Sequence, residues 1–277
     1  MMASGHLWPR HILPRHILLS TIAATILLGG FTTTALADEQ RASRLGLALY
    51  VGIQTLSPDF INNAIDEVNA VATPPPPDGP GLAPLDHIAA SPIFQIEGRF
   101  FISDKFVATL GYGTLGRTEN LTLQPQTSQE IIVEGSVNAK TLNTGLDYYF
   151  TPYTSGDVTW RPFAGAGFMS VIEGEGRVGG SLTETTPDTT VDDRFDRFRG
   201  QGAGFYLEAG VQLMIPSRYS FIANVFYRNL KMDNVWEVDE FGNSLGPLEN
   251  PDGSLAEIDL SGIGLRVGIN IDILDRF

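Results

Sequence analysis

The sequence predicts an eight-stranded antiparallel transmembrane β-barrel. Three observations predict it. Eight segments alternate apolar and polar residues with a period of two. The connections between them alternate between short and long. Beyond the N-terminal region, no apolar run reaches the roughly 20 residues of a spanning helix, so a chain that lives in a membrane must cross it with strands.

The last segment shows the alternation most plainly. Ile263, Leu265, Val267, Ile269, Ile271 and Ile273 fall on one face, and Gly264, Arg266, Gly268, Asn270 and Asp272 on the other. The split recurs in Leu45 to Ile53 against Gly46 to Gln54, and in Phe94, Ile96 and Phe100 against Gln95, Glu97 and Arg99. It recurs again in Phe205 to Ile215 against Tyr206, Glu208, Gln212 and Met214. Expected strands cover about 43–54, 92–102, 105–117, 137–150, 161–173, 202–215, 219–232 and 257–276. Most meet the ~9–11 residues that a tilted strand needs to cross a bilayer. A soluble barrel of the lipocalin kind would bury the aliphatic face. Here the other face carries Gly, Arg and Asp, which suits an interior, while the aliphatic face carries almost no charge and suits lipid.

The N-terminal residues read as a signal peptide over 1–37. Arg10 and Arg15 supply a basic start without acidic residues, Ile17 to Phe31 is mostly apolar, and Ala35-Leu36-Ala37 is an A-x-A site. The barrel is then expected over 38–277, with long extracellular loops at about 55–91, 118–136, 174–201 and 233–256 and short periplasmic turns between the other strands. Aromatic residues near strand ends predict girdles: Phe101, Phe106, Tyr148, Phe150, Tyr219 and Phe277 at the periplasmic rim, Tyr227 and Trp236 at the outer one. A short helix is expected within Asn62 to Val71.

Composition excludes several functions. The net charge is −14, so a basic nucleic-acid footprint is absent. There is no cysteine, and therefore no disulfide framework or thiol nucleophile. Three of the four histidines lie within the first 16 residues, which leaves His87 alone and no multi-histidine metal site. His87 beside Asp86 and near Ser91 is the one grouping with hydrolase character, a pattern common by chance; no catalytic residue and no cofactor is expected.

The stretch Thr159 to Gly167 (TWRPFAGAG) resembles the R-P-[YF]-x-G-x-G strand start of small outer-membrane barrels. Gly204 to Asn229 resembles their hairpin of strand, short turn and aromatic-rich strand. The resemblance is to the outer membrane protein W family and to the membrane domain of outer membrane protein A. It implies a Gram-negative outer-membrane location and a porin-like role. C-terminal Phe277 resembles the signal read by the outer-membrane assembly machinery, a partner beside the membrane lipid itself; Asp275 departs from the usual apolar alternation there.

Eight strands enclose an interior that side chains can fill. The residues expected to line it are Arg44, Glu97, Arg99, Asp147, Glu208, Arg228, Arg266 and Asp272, four of each sign. They read either as a selectivity constriction or as a structural network of ion pairs. The acidic loops read as a solvated surface or as a site for divalent cations or a basic partner. The expected function is a narrow channel for small or apolar solutes. The alternative is a non-conducting barrel that acts through its loops in structure or adhesion.

Overall fold

A computed structural model describes residues 44–56, 58–72, 84–126, 129–184, 190–215, 218–250 and 253–273. The expected signal peptide at 1–37 and Phe277 lie outside the described residues. The strands in chain order are β1 (Arg44–Thr55), β2 (Ala90–Phe101), β3 (Phe106–Gln126), β4 (Gln129–Tyr149), β5 (Tyr153–Ser155), β6 (Val158–Glu184), β7 (Thr190–Met214), β8 (Tyr219–Val238), β9 (Ser244–Pro247), β10 (Ile258–Asp259) and β11 (Gly262–Asp272). One helix, α1 (Asp59–Ala72), lies between β1 and β2.

Eight of these strands close a ring in the order β1, β2, β3, β4, β6, β7, β8, β11, each antiparallel to its neighbours. Closure is made by β11 against β1, from Gly46 opposite Asp272 to Gln54 opposite Gly264. No barrel strand presents a free edge to lipid along this ring, the condition for a sheet in hydrocarbon. Among the described residues no helix is long and apolar enough to cross a membrane; the crossing is made by strands.

The faces sort as the period predicts. Leu49, Val51, Ile53, Phe94, Ile96, Leu110, Leu146, Leu207, Val225, Leu265, Val267 and Ile269 are exposed on the outside, while Glu97, Arg99, Asp147, Glu208 and Arg266 are buried inside. This inverts a soluble barrel and matches one solvated by lipid. Near one rim Tyr148 packs edge-on against Phe106 at 5.3 Å and against Phe150 at 5.2 Å, an outward aromatic cluster. Phe101 departs from the expected girdle. It turns inward beside Tyr149, because in the Phe100-Phe101 pair only one ring can face lipid. At the far edge of the apolar belt stand outward ion pairs, Lys140 with Glu173 at 2.7 Å and Lys231 with Glu257 at 2.5 Å. Charges at that height mark where the strands leave the hydrocarbon.

Beyond them the strands do not stop. The expected loops 118–136 and 174–201 are instead largely strand, since β3 and β4 run on as a ladder to Gln126 and Gln129, and β6 and β7 to Glu184 and Thr190. With 27 residues, β6 is more than twice the length that a crossing takes. The last expected strand, 257–276, divides into β10 and β11, with Leu260 and Ser261 between them.

A charge in the middle of the outer belt should cost about 2–4 kcal/mol. Val267, half exposed on the lipid face, is such a position. Val267→Arg is therefore expected to lower the urea midpoint of the barrel in lipid vesicles by that equivalent. A loss well under 1 kcal/mol would mean that this face does not meet hydrocarbon.

Candidate functional site

The interior is built in layers because every second residue of each strand must point into it. Nearest the short turns is a cluster of Ala48, Tyr50, Phe101, Val107, Tyr149, Phe163 and Ile222. Tyr149 and Phe163 stack with centroids 5.2 Å apart.

A charged layer adjoins it. Glu97 and Arg99 lie two apart on β2, hence on one face. Arg99 donates through Nη1 to Glu97 Oε1 at 2.9 Å and to Tyr50 Oη at 2.7 Å. Its Nη2 reaches across to Asp147 Oδ2 at 2.7 Å and to Tyr149 Oη at 2.8 Å. Arg266 forms the second centre. Nη2 donates to Glu208 Oε2 at 2.7 Å, Nη1 to Gln95 Oε1 at 2.6 Å and Nε to Asn224 Oδ1 at 2.9 Å. Its guanidinium lies 4.3 Å from the centre of the Tyr50 ring. Gln95 Nε2 returns a hydrogen bond to Glu97 Oε2 at 2.9 Å, and Asn224 donates to Glu208, so the two centres join into one network. Three carboxylates and two guanidinium groups share it, all essentially shielded from solvent.

Glycines make room for this filling. A Cβ at Gly268 would lie 2.6 Å from Tyr50 Cδ1, and one at Gly167 2.6 Å from Tyr206 Cε1. The rings occupy the space that those two glycines leave, so at both positions the missing side chain accommodates bulk.

Of the other residues expected inside, Arg228 is buried but one step removed from the network. Asp272 takes a hydrogen bond from Asn270 at 2.9 Å at the short-turn end and joins none of the arginines above. Arg44 begins β1 opposite Phe101, and its side chain lies outside the described residues. The tyrosines Tyr50 and Tyr149, and the amides Gln95 and Asn224, were not singled out from the sequence. Their parity with the charges was the available signal.

The opposite mouth is closed by apolar side chains. On α1, Ile61 and Ile65 are one turn apart and fully buried, and they meet Leu56, Leu85 and Ile88 together with Val133, Val137, Phe198, Leu230, Met232 and Ile258 from the wall. The chain returning to β2 is tied to the helix. Asn62 Oδ1 accepts from Ile88 N–H at 2.9 Å, and Asn69 Oδ1 from Leu85 N–H at 2.8 Å. The expected short helix is thus four residues longer and seated in the barrel mouth.

His87 Nε2 lies 2.8 Å from Asp66 Oδ1 on the exposed side of α1. Ser91 Oγ instead accepts from Gly116 N–H at 2.8 Å, so His87 and Ser91 each have other partners. Among the described residues no group of three or more His, Asp or Glu gathers as a metal site.

No protein-family model matches the chain. No curated protein matches it either. Among solved structures it is similar to the outer membrane protein OprG from Pseudomonas aeruginosa, with 11% identity, a TM-score of 0.44, and coverage of 86% of this chain and 100% of that one. It is similar to the N-terminal β-barrel domain of Pseudomonas aeruginosa OprF, with 13% identity, a TM-score of 0.32, and coverage of 82% and 97%. It is also similar to Ail, the attachment invasion locus protein of Yersinia pestis, with 10% identity, a TM-score of 0.34, and coverage of 83% and 99%. A closed ring of eight antiparallel strands, an aliphatic belt outside and a polar filling inside together define the molecule. The chain is a closed eight-stranded antiparallel β-barrel with the polarity of a membrane-spanning one.

Proposed function

We propose that this barrel is ion-tight and works through the half that stands beyond the membrane. The observation that carries the proposal is the double closure of the lumen: a paired charged layer at mid-height, and a helix seated in the mouth. An ion entering from either side would have to displace a hydrogen-bonded guanidinium or the apolar cap.

What the molecule offers to its surroundings is then the far end of β3, β4, β6, β7 and β8 and the segments joining them. That surface is acidic around β8 and β9, where Asp233, Glu237, Asp239, Glu240 and Glu249 cluster in sequence. Asp239 takes hydrogen bonds from Asn243 and from the backbone of Phe241, which hold its carboxyl below the usual carboxylate range. The turn therefore keeps its charge in mildly acid surroundings. A basic partner, or divalent cations bridging to anionic neighbours, would suit such a surface. No catalytic role is part of this reading.

Barrel refolded from Asp38 to Phe277 and inserted into planar bilayers should be silent, with folding verified by a heat-dependent gel shift. Discrete, reproducible conductance steps would overturn the ion-tight reading.

One feature favours a second reading, passage of small apolar solutes through the wall. The β2–β3 ladder ends at Ile93 opposite Leu115, while β3 continues. A hollow of about 320 Å³ there is lined by outward Pro92 and Phe94 and by inward Leu115 and Ala139. Uptake of a fluorescent apolar probe by vesicles holding the barrel would separate this reading from a purely surface-acting one.

A further inference from the structure

Between the charged layer and the apolar cap lies Arg228, only 3% exposed. It forms no ion pair among the described residues. Nη1 approaches Met169 Sδ at 3.6 Å, the guanidinium lies 5.3 Å from the centre of the Phe226 ring, and Nε has no hydrogen-bond partner. Asn143, 2% exposed on β4, is the neighbouring polar group. Its Nδ2 donates no hydrogen bond among the described residues, so its N–H groups are free to donate to an anion. Both side chains line one small cavity, which Thr141, Met169, Tyr206 and Phe226 share with Gln95 and Arg266 of the charged layer. Its volume is about 20 Å³, room for roughly one water-sized particle.

A guanidinium removed from water and held without a direct ion pair is costly, and so is a buried amide without a partner. Two such groups facing one cavity is the arrangement of an anion site. We infer that Arg228 and Asn143 hold a single monovalent anion of halide size, occluded between the charged layer and the cap. Size selects the class, since a carboxylate or phosphate with its substituents exceeds the space. The lining of Met169 and Phe226 suits a weakly hydrated ion. Position is set by charge as well. In the layer below, Glu97, Asp147 and Glu208 outnumber Arg99 and Arg266, so an anion is repelled there and held on the Arg228 side. The inference stands apart from the proposed function, because an occluded ion neither requires nor excludes conduction.

Bromide tests it on the unaltered barrel. Crystals grown in sodium bromide, measured at the bromine edge, should show an anomalous peak beside the Arg228 guanidinium. In solution, the temperature at which the folded form is lost should be higher in chloride or bromide than in gluconate at equal ionic strength. Arg228→Met should abolish both the peak and the halide dependence. It should also unfold no earlier than the parent in gluconate, since the buried charge is gone. Absence of the peak, with water alone at Arg228, overturns the inference. So does a halide dependence that persists in Arg228→Met. The diffraction experiment needs no variant, so it decides the matter even if Arg228→Met does not fold.

Discussion

Arg99→Met is expected to destabilise the barrel by about 3–5 kcal/mol, the cost typical of stripping one partner from a buried ion pair. The reason is arithmetic of charge rather than loss of contacts. Arg99 is 1% exposed, and among the described residues it is the sole guanidinium on Asp147 and the nearer of two on Glu97. Without it, two carboxylates remain in an interior that no longer answers them. Methionine retains most of the aliphatic stem, so packing against Phe163, whose ring lies 5.7 Å from the guanidinium, changes less than the electrostatics. The control is the triple variant Glu97→Gln, Arg99→Met, Asp147→Asn, which removes all three charges at once. It should recover most of the loss, because uncharged groups of similar shape replace a pair roughly neutrally. Urea unfolding in lipid vesicles measures both. If the triple variant is as unstable as Arg99→Met, the charges are not what the layer depends on.

How much of this was legible in the sequence follows from parity. In a strand the side chain two residues on returns to the same face, so Glu97 and Arg99 had to share the interior once Ile96 was given to lipid. Arg266 is placed in the same way by Leu265 and Val267. Parity does not give height, and height decides who meets whom. Asp147 reaches Arg99 because Arg99 lies opposite Thr109 on β3, and Thr109 opposite Gly145 on β4. That register is fixed by the turn at Ser103, whose Oγ accepts from Phe106 N–H, and by strand stagger, neither of which composition reveals. Arg228 and Asp272 carry the right parity and the wrong height, so the sequence grouped them with a network that they do not join.

The strand ends were illegible for a different reason. Alternation is visible only where one face is dry. From Thr118 to Asn120 three polar residues follow one another, so both faces of β3 carry polar residues there and the alternation is interrupted. The period disappears from the sequence while the ladder of hydrogen bonds continues. Phe101 failed for want of contrast as well, since two adjacent phenylalanines do not say which is outside.

The cap carries the last and most discriminating expectation. Ile61 and Ile65 are completely buried, and Ile65 approaches the space over Gly135, where an added Cβ would lie 2.9 Å from its Cδ1. Truncating a buried isoleucine to alanine costs about 2–5 kcal/mol. The double variant Ile61→Ala, Ile65→Ala should therefore release α1 from the mouth, although the ring of strands closes without it. Amide exchange should rise throughout 59–72, and protease should cut there, while urea unfolding of the strands shifts little. Bilayers holding this variant should stay silent, because the Arg99 and Arg266 network lies below the cap and spans the lumen independently. Conductance in the double variant alone would make the helix the gate and the charged layer a permeable lining. Silence there, joined to conductance only when the charged layer is also dismantled, would show that two separate seals act in series.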